Sequence, residues 1–139
     1  MAFYHDVKNN IKILEHIPAA RRTAAGAING TTVDLQGQAI TNLSFLISAG
    51  TVTTATLDAN VQWSDDNSTW TNEATGGAND TAITQLSAAG RARLHVPVPT
   101  HRYYRTVGTV GGATPTVDFG VVAVLGGTRH LPISYSAGE

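Results

Sequence analysis

The amino-acid sequence predicts an all-β protein, a single jelly-roll-like β-sandwich of about seven or eight strands with an N-terminal arm or short helix. Three observations support this prediction. The chain has 139 residues and no cysteine, which suits one domain whose core needs no disulfides. Only 14% of its residues are charged, whereas it contains 19 Thr, 19 Ala and 14 Gly; threonine favours strands and glycine favours turns. Short stretches of alternating apolar and polar residues recur between turn residues.

The N-terminal segment, residues 1–28, differs in character from the rest. It contains both lysines and an alanine-rich stretch. Four apolar residues in it follow one another at the spacings of a helical stripe: Val7, Ile11, Leu14 and Ile17. Pro18 would end such a helix. Two interpretations stay open, a short helix packed on the domain and an extended arm that becomes ordered only against a neighbour.

The predicted sandwich spans residues 29–127, and residues 128–139 form a predicted C-terminal tail. Its clearest strand is 57–64, in which odd positions are apolar and even positions polar without exception. The turn at 64–68 follows, where Asp and Asn side chains can bond their own backbone, and the chain then enters 69–71. Together these stretches predict a hairpin.

The remaining strands are recognised by the same alternation. They are predicted at 31–36, 43–47, 91–96, 102–110 and 115–125, with a weak strand at 81–85. Pro97 and Pro99 end the strand before them or place it at a sheet edge. In the last strand, Val122 and Val124 make the second half apolar on both faces, which predicts a central position in a sheet.

The sequence contains no recognisable catalytic constellation. Only three glutamates occur, and Asp65 and Asp66 lie in an open turn, the opposite of the apolar cleft in which a glycosidase acid works. No Gly-x-Ser-x-Gly turn, phosphate-binding glycine loop or His-Glu-x-x-His motif is present. We therefore predict no catalytic residue, no enzymatic activity and no cofactor.

No metal site is predicted either. Without cysteine there is no thiolate ligand. His95 and His101 would come close only if their strands pair, and the arginines beside them would repel a cation, so solvent-facing imidazoles are the favoured interpretation. The turn at 65–67 lacks the glycine and the bidentate glutamate of a calcium loop and is interpreted as an Asx-turn.

Charge and hydropathy restrict the partners. A net charge of −1 gives no general electrostatic basis for binding nucleic acid or acidic lipid. The longest apolar run, at 121–125, is too short to cross a membrane, and the first residues lack a run of signal-peptide length. Both lysines precede the sandwich, so its strand edges lack the usual lysine protection against pairing, which favours a partner that covers them.

Arginines supply the candidate interface. The densest charge of the domain lies on strands adjacent in sequence and comprises Arg91, Arg93, Arg102 and Arg105. Arg21 and Arg22 belong to the N-terminal segment. Because arginine is favoured at protein interfaces, we predict that these residues hold carboxylates of a neighbouring protein; a mild basic surface is the alternative. Whether Arg93 faces Arg105 depends on a register that the sequence does not determine.

The two tryptophans receive different interpretations. Trp63 follows three apolar residues on one face of its strand and is predicted to be in the core. Trp70 is interpreted as core filler, with an exposed sugar-stacking platform as the alternative.

Several of these stretches together resemble small virion proteins of tailed bacteriophages. The first two are 29–37, Asn-Gly-Thr-Thr-Val-Asp-Leu-Gln-Gly, and 61–71, Val-Gln-Trp-Ser-Asp-Asp-Asn-Ser-Thr-Trp-Thr. The same class often shows an Arg-Tyr-x-Arg strand, a Gly-Gly hairpin and an apolar strand ending in Leu-Gly, found here at 102–105, 111–112 and 121–126. The resemblance covers roughly residues 29–127, and each piece alone is a weak signal.

The resemblance implies a jelly-roll or related sandwich in a capsid decoration (cement) protein. Such a protein would be made in the host cytoplasm, would sit on the outer surface of the capsid, and would bind the major capsid protein and itself, commonly as a homotrimer. The family has no catalytic motif to transfer to this chain. Residues 1–28 are matched less well and are expected to serve as a docking arm.

Two alternatives remain. The turn Ser-Asp-Asp-Asn-Ser-Thr-Trp at 64–70 also resembles the structural hairpin of discoidin-like carbohydrate-binding modules. A glycan-binding module would present exposed aromatic side chains on one rim, and only 6% of this chain is aromatic. A head–tail or tail component of the phage particle is the further alternative.

Overall fold

Nine strands form the framework of the described residues. The structure, a computed structural model, describes residues 11–35, 42–76, 79–83 and 85–126. Its strands are β1 (Ile11–Arg22), β2 (Gly26–Asn29), β3 (Val33–Asp34), β4 (Asn42–Thr53), β5 (Thr56–Ser64), β6 (Thr71–Asn72), β7 (Gly90–Val96), β8 (Tyr103–Gly111) and β9 (Thr116–Gly126). These ranges contain no helix, so the predicted all-β class is confirmed. The predicted tail at 128–139 lies outside the described residues, as does the start of the N-terminal segment.

The strands form two antiparallel sheets packed against each other. The four-stranded sheet has the order β1-β9-β4-β7, and the five-stranded sheet has the order β2-β8-β5-β6, with β3 also paired to β8. The first strand therefore lies beside the last, and the chain crosses between the sheets after β1, β3, β4, β6, β7 and β8. This interleaving of early and late strands in two sheets is the jelly-roll arrangement.

The core lies between the sheets because each long strand turns alternate apolar residues inward. Leu57, Ala59 and Val61 of β5 are buried, as the alternation predicted. Close packing between the sheets depends on a small residue in β8: a Cβ added to Gly108 would lie 3.1 Å from the ring of Phe119 in β9. Glycine at this position therefore makes room for the Phe119 ring.

The prediction for the N-terminal segment is wrong where the structure describes it. Residues 11–22 form β1, paired with β9, and β2 pairs with β8 and continues across the predicted boundary at residue 28. Register shifts interrupt β1 between Glu15 and Ile17 and again before Ala20. An extra residue at such a bulge leaves Leu14 and Ile17 both on the core side although they are three residues apart. The helical spacing of these residues therefore arises from bulges in an edge strand. Residues 11–22 are paired with β9 and are not an arm that becomes ordered only against a neighbour.

His16 of β1 joins the two sheets. Its carbonyl accepts a hydrogen bond from the Thr31 N–H (2.9 Å), and its Nε2 accepts one from the Thr106 N–H of β8 (2.8 Å). The residue is 1% exposed, and a Cβ added to Gly30 would overlap its ring. Burial lowers the pKa of His16 to about 4, opposed in part by the Thr31 backbone. The neutral imidazole therefore accepts the hydrogen bond from the Thr106 N–H that a backbone carbonyl of a strand paired with β8 would otherwise accept.

The predicted hairpin around the Asp-Asp-Asn turn is confirmed. β5 and β6 pair through Trp63 and Thr71. The Asp66 carboxylate accepts hydrogen bonds from the Ser68 and Thr69 N–H groups (2.9 and 2.7 Å), and these bonds hold the pKa of Asp66 well below its usual range. The turn is therefore an Asx-turn. The weak strand predicted at 81–85 is only partly formed, because it joins β5 through isolated bridges.

Candidate interaction surfaces

The structure divides the predicted arginine patch between two opposite faces. β7 and β8 are adjacent in sequence but belong to different sheets and do not pair. Arg91 and Arg93 of β7 line the outer face of the four-stranded sheet, whereas Arg105 of β8 belongs to the other sheet, with Arg102 just before that strand. The four arginines therefore do not form one continuous patch, and Arg93 does not face Arg105 in any register because β7 and β8 are not neighbours. The segment 97–102, which contains both prolines, carries the chain from one sheet to the other.

The two N-terminal arginines are engaged within the chain. Arg21 donates two hydrogen bonds of 2.8 Å to the Asp118 carboxylate, and this contact lowers the pKa of Asp118. Arg22 donates to the Pro18 carbonyl (3.1 Å), and its guanidinium lies 5.7 Å from the centre of the Phe119 ring. Both side chains therefore help to fix the bulged strand β1 against β9.

Arg102 is also paired with an acid. Its Nε and Nη2 donate to the Asp34 carboxylate at 3.0 and 3.1 Å, and the guanidinium lies 4.8 Å from the centre of the Tyr103 ring. The hydrogen bond to Asp34 raises the pKa of Arg102. This pair ties β3 to the start of β8, and its positive charge is balanced locally.

Arg105 differs from Arg102 because no carboxylate neutralises it among the described residues. Its Nε donates to Oε1 of Gln62 (2.9 Å), and its guanidinium lies 4.2 Å from the centre of the Trp70 ring. Partial burial lowers the pKa of Arg105, which nevertheless stays cationic.

Gln62 in turn donates to Oδ1 of Asn72 (3.0 Å), which also accepts from Asn60 (2.9 Å). We call Asn60, Gln62, Trp70, Asn72 and Arg105 the amide face; it lies on the outer side of the five-stranded sheet.

The interpretation of Trp70 as core filler is wrong, because the ring belongs to this outer face and not to the core cluster. One side of the ring is occupied by Arg105. Trp63, in contrast, packs against the core as predicted and stacks on His101 with ring centres 3.6 Å apart.

The outer face of the four-stranded sheet carries a feature that sequence reasoning missed. A groove of about 1170 Å³ lies on it, lined mainly by apolar and small side chains with Arg91 and Arg93 on one side and Glu15 on the other. Ile13, Leu46 and Val122 are 58%, 45% and 37% exposed. The signal was present in the sequence: Val122 and Val124 make β9 apolar on both faces. The predicted central position of β9 is correct, but its second apolar face is open to solvent.

The two histidines considered as metal ligands do not share a site, because His95 belongs to β7 and His101 to the segment that crosses between the sheets. Nδ1 of His95 is 2.7 Å from Oγ of Ser44, and Nδ1 of His101 is 3.0 Å from Asp65. Within the part of the chain that the structure describes, no group of three His, Cys, Asp or Glu side chains has the arrangement of a metal site. Those residues likewise include no helix long and apolar enough to span a membrane.

Comparison with solved structures gives a likeness in fold. No protein-family model and no curated protein matches the sequence. Among solved structures, the PBSX exported protein XepA, a phage-related protein, is similar with a TM-score of 0.63 and 18% sequence identity. The match covers 100% of this chain but 44% of that one, so this chain spans less than half the length of XepA. At this identity the likeness establishes a shared fold.

Proposed function

We propose that this chain is a non-enzymatic structural protein of a tailed-bacteriophage particle, which decorates the outer surface of the capsid and stabilises it by binding the assembled lattice of the major capsid protein. Two findings support the proposal. Several stretches resemble phage virion proteins, among them parts of β3, β5, β8 and β9, and the fold is shared with a phage-related protein. A protein that binds only the assembled shell lowers its free energy by mass action and so makes the shell harder to open.

The observation that carries the proposal furthest is the arrangement around Arg105. Trp70 and Gln62 hold the guanidinium in one position, so little side-chain entropy is lost on binding. Since no acid within the described residues neutralises this cation, it is available to a carboxylate of a partner. Arg21 and Arg102 are already occupied by Asp118 and Asp34. Of these three arginines, Arg105 is therefore the one best suited to a contact with the shell.

Co-sedimentation with expanded capsids that lack this chain tests the proposal. The wild-type protein should sediment with the capsids and raise the temperature at which they open. Arg105→Ala should weaken binding at least about tenfold, whereas the control Arg21→Ala, which removes an arginine from the other sheet, should bind like the wild type. Wild-type protein that stays in the supernatant and adds no heat resistance contradicts the proposal. Equal loss in both variants contradicts the role of Arg105.

Glycan binding is the second candidate, and the position of Trp70 outside the core favours it. The ring contacts Arg105, which is hydrogen-bonded to Gln62, and Gln62 is hydrogen-bonded to Asn72. The ring therefore shares a face with amide groups of the kind that bind sugar hydroxyls. A glycan array decides between the two functions: saturable binding that is lost in Trp70→Ala would favour the carbohydrate-binding module. A head–tail or tail role is separated from capsid decoration by the number of copies in the particle.

A further inference from the structure

We infer that the outer face of the four-stranded sheet binds a second copy of this chain, face to face, around a two-fold axis parallel to the strands. This face is the groove described above. Large apolar side chains exposed together on a sheet are typical of surfaces that a partner covers. Ile13, Leu46 and Val122 are such side chains, and they lie on β1, β4 and β9, three of the four strands.

The strand register arranges the face in transverse rows. Glu15 is opposite Val122, Val122 is opposite Leu46, and Leu46 is opposite Arg93. One row therefore runs across all four strands in the order acid, apolar, apolar, base. All four side chains line the groove. With strands about 4.8 Å apart, the acid and the base at the two ends are separated by roughly 14 Å, too far for an ion pair within one chain.

The charges at the ends of this row have no partner in their own chain, as far as the structure describes it. Glu15 and Arg93 are both exposed. Neither makes an ion pair or a side-chain hydrogen bond with another described residue, in contrast to Arg21 and Asp118 on the same face. An unmatched acid and an unmatched base in one row form a self-complementary pattern.

The pattern distinguishes between the two ways in which two copies can stack with two-fold symmetry. An axis parallel to the strands places β1 of one copy over β7 of the other, so Glu15 meets the partner's Arg93 twice and Val122 meets the partner's Leu46 twice. An axis perpendicular to the strands places β7 over β7 and brings arginines together. The first arrangement is favoured by charge, and the aligned packing of two twisted sheets is compatible with it.

In the next row, small residues allow the two copies of the chain to approach each other closely. Ser48 is opposite Gly120 within the sheet, and the parallel axis would place them opposite each other between copies. Four outward positions on four strands cover roughly 19 Å by roughly 27 Å, so the pair would bury about 1,000 Å² in total. This area is at the lower limit for specific complexes, which predicts reversible association in the micromolar range.

A closed pair of this kind differs from the homotrimer that the phage resemblance implies, because the same face cannot also serve a three-fold contact. The inference does not depend on the proposed function, since pairing is measured without capsids. If both hold, the pair would present its two amide faces, each with an Arg105, on opposite sides, roughly 30 Å apart across four stacked sheets, and would be suited to bridging two shell subunits.

Sedimentation equilibrium of the full chain, from about 10 to about 500 µM, tests the inference. The wild type should show a monomer–dimer equilibrium. Glu15→Arg and Arg93→Glu should each weaken it about tenfold, because each change replaces two attractive contacts by two repulsive ones. The double variant Glu15→Arg/Arg93→Glu should restore the wild-type constant, since the two charges are exchanged. Glu73→Arg, which makes the same charge change away from this face, is the control and should leave the constant unchanged.

Circular dichroism and thermal melting confirm that each variant is folded, so that loss of dimer is not loss of structure. A wild type that stays monomeric throughout, or that shows the mass of a trimer, overturns the inference. The inference is equally overturned if Glu15→Arg and Arg93→Glu dimerise as strongly as Glu73→Arg, or if the double variant dimerises no more strongly than either single variant.

Discussion

The contact between Gly30 and His16 leads to a quantitative prediction about stability. A Cβ at residue 30 would overlap the imidazole of His16. His16 is 1% exposed and its ring centre lies 4.8 Å from that of Phe45, so the imidazole can move aside only by disturbing the packed core. Gly30→Ala should displace the ring and leave the Thr106 N–H without its acceptor. A buried unpaired N–H costs about 1–3 kcal/mol, and overpacking adds about 1–3 kcal/mol. We expect the free energy of unfolding to fall by about 3 kcal/mol.

Urea denaturation followed by tryptophan fluorescence measures this change, and a double-mutant cycle identifies its cause. In a His16→Ala background the ring is absent, so adding Gly30→Ala should change the free energy of unfolding by less than about 0.5 kcal/mol. Gly50→Ala is the control, because a Cβ there would be 3.9 Å from its nearest neighbour. The reasoning is refuted if Gly30→Ala is as stable as Gly50→Ala, or if its cost is the same with and without the imidazole.

Two further predictions concern the same core. The pKa of His16 in the folded chain, about 4, lies below the ordinary value of 6.5, so its stabilising contribution is complete above pH 6.5 and is lost as the pH falls towards 4. Between pH 7 and pH 4, the free energy of unfolding should therefore fall by about 3 kcal/mol more in the wild type than in His16→Gln. Urea denaturation at each pH measures this fall, and an equal fall in the two proteins would contradict the prediction. The Tyr104 hydroxyl accepts hydrogen bonds from the N–H groups of Thr100 and His101 (3.0 and 3.2 Å), so Tyr104→Phe should lower the free energy of unfolding by about 1–3 kcal/mol and speed amide exchange at those two residues. Unchanged exchange there would show that the hydroxyl does not hold the segment that crosses between the sheets.

The success of the strand predictions and the failure at the N-terminus have the same physical origin. Alternation identifies a strand when every residue occupies one step of the pleat, as in β5, where Leu57 and Val61 are both buried. β1 violates that condition, because bulges place Leu14 and Ile17 on one side at a helical spacing. The sequence gives the spacing alone, and the pairing with β9 that distinguishes a bulged strand from a helix is a long-range contact.

The candidate surfaces were predictable only in part for a related reason. Arginines close in sequence were expected to be close in space, but the crossover at 97–102 separates Arg93 and Arg105 onto different sheets. For Trp70 the sequence left two environments open, the core and an exposed platform, and the contact of the ring with Arg105 depends on the pairing of β5 with β8. The row from Glu15 to Arg93 joins four strands distant in sequence, and only their register reveals it.

The central claim is that this chain belongs to the shell of a phage particle, and the ratio of this chain to the major capsid protein in purified particles tests it most directly. Quantitative mass spectrometry of intact, nuclease-treated particles gives that ratio. A decoration protein should be present in numbers comparable with the sites of the capsid lattice. Complete absence from the particles would contradict the claim, and a few copies per particle would assign the chain to the head–tail junction or the tail instead.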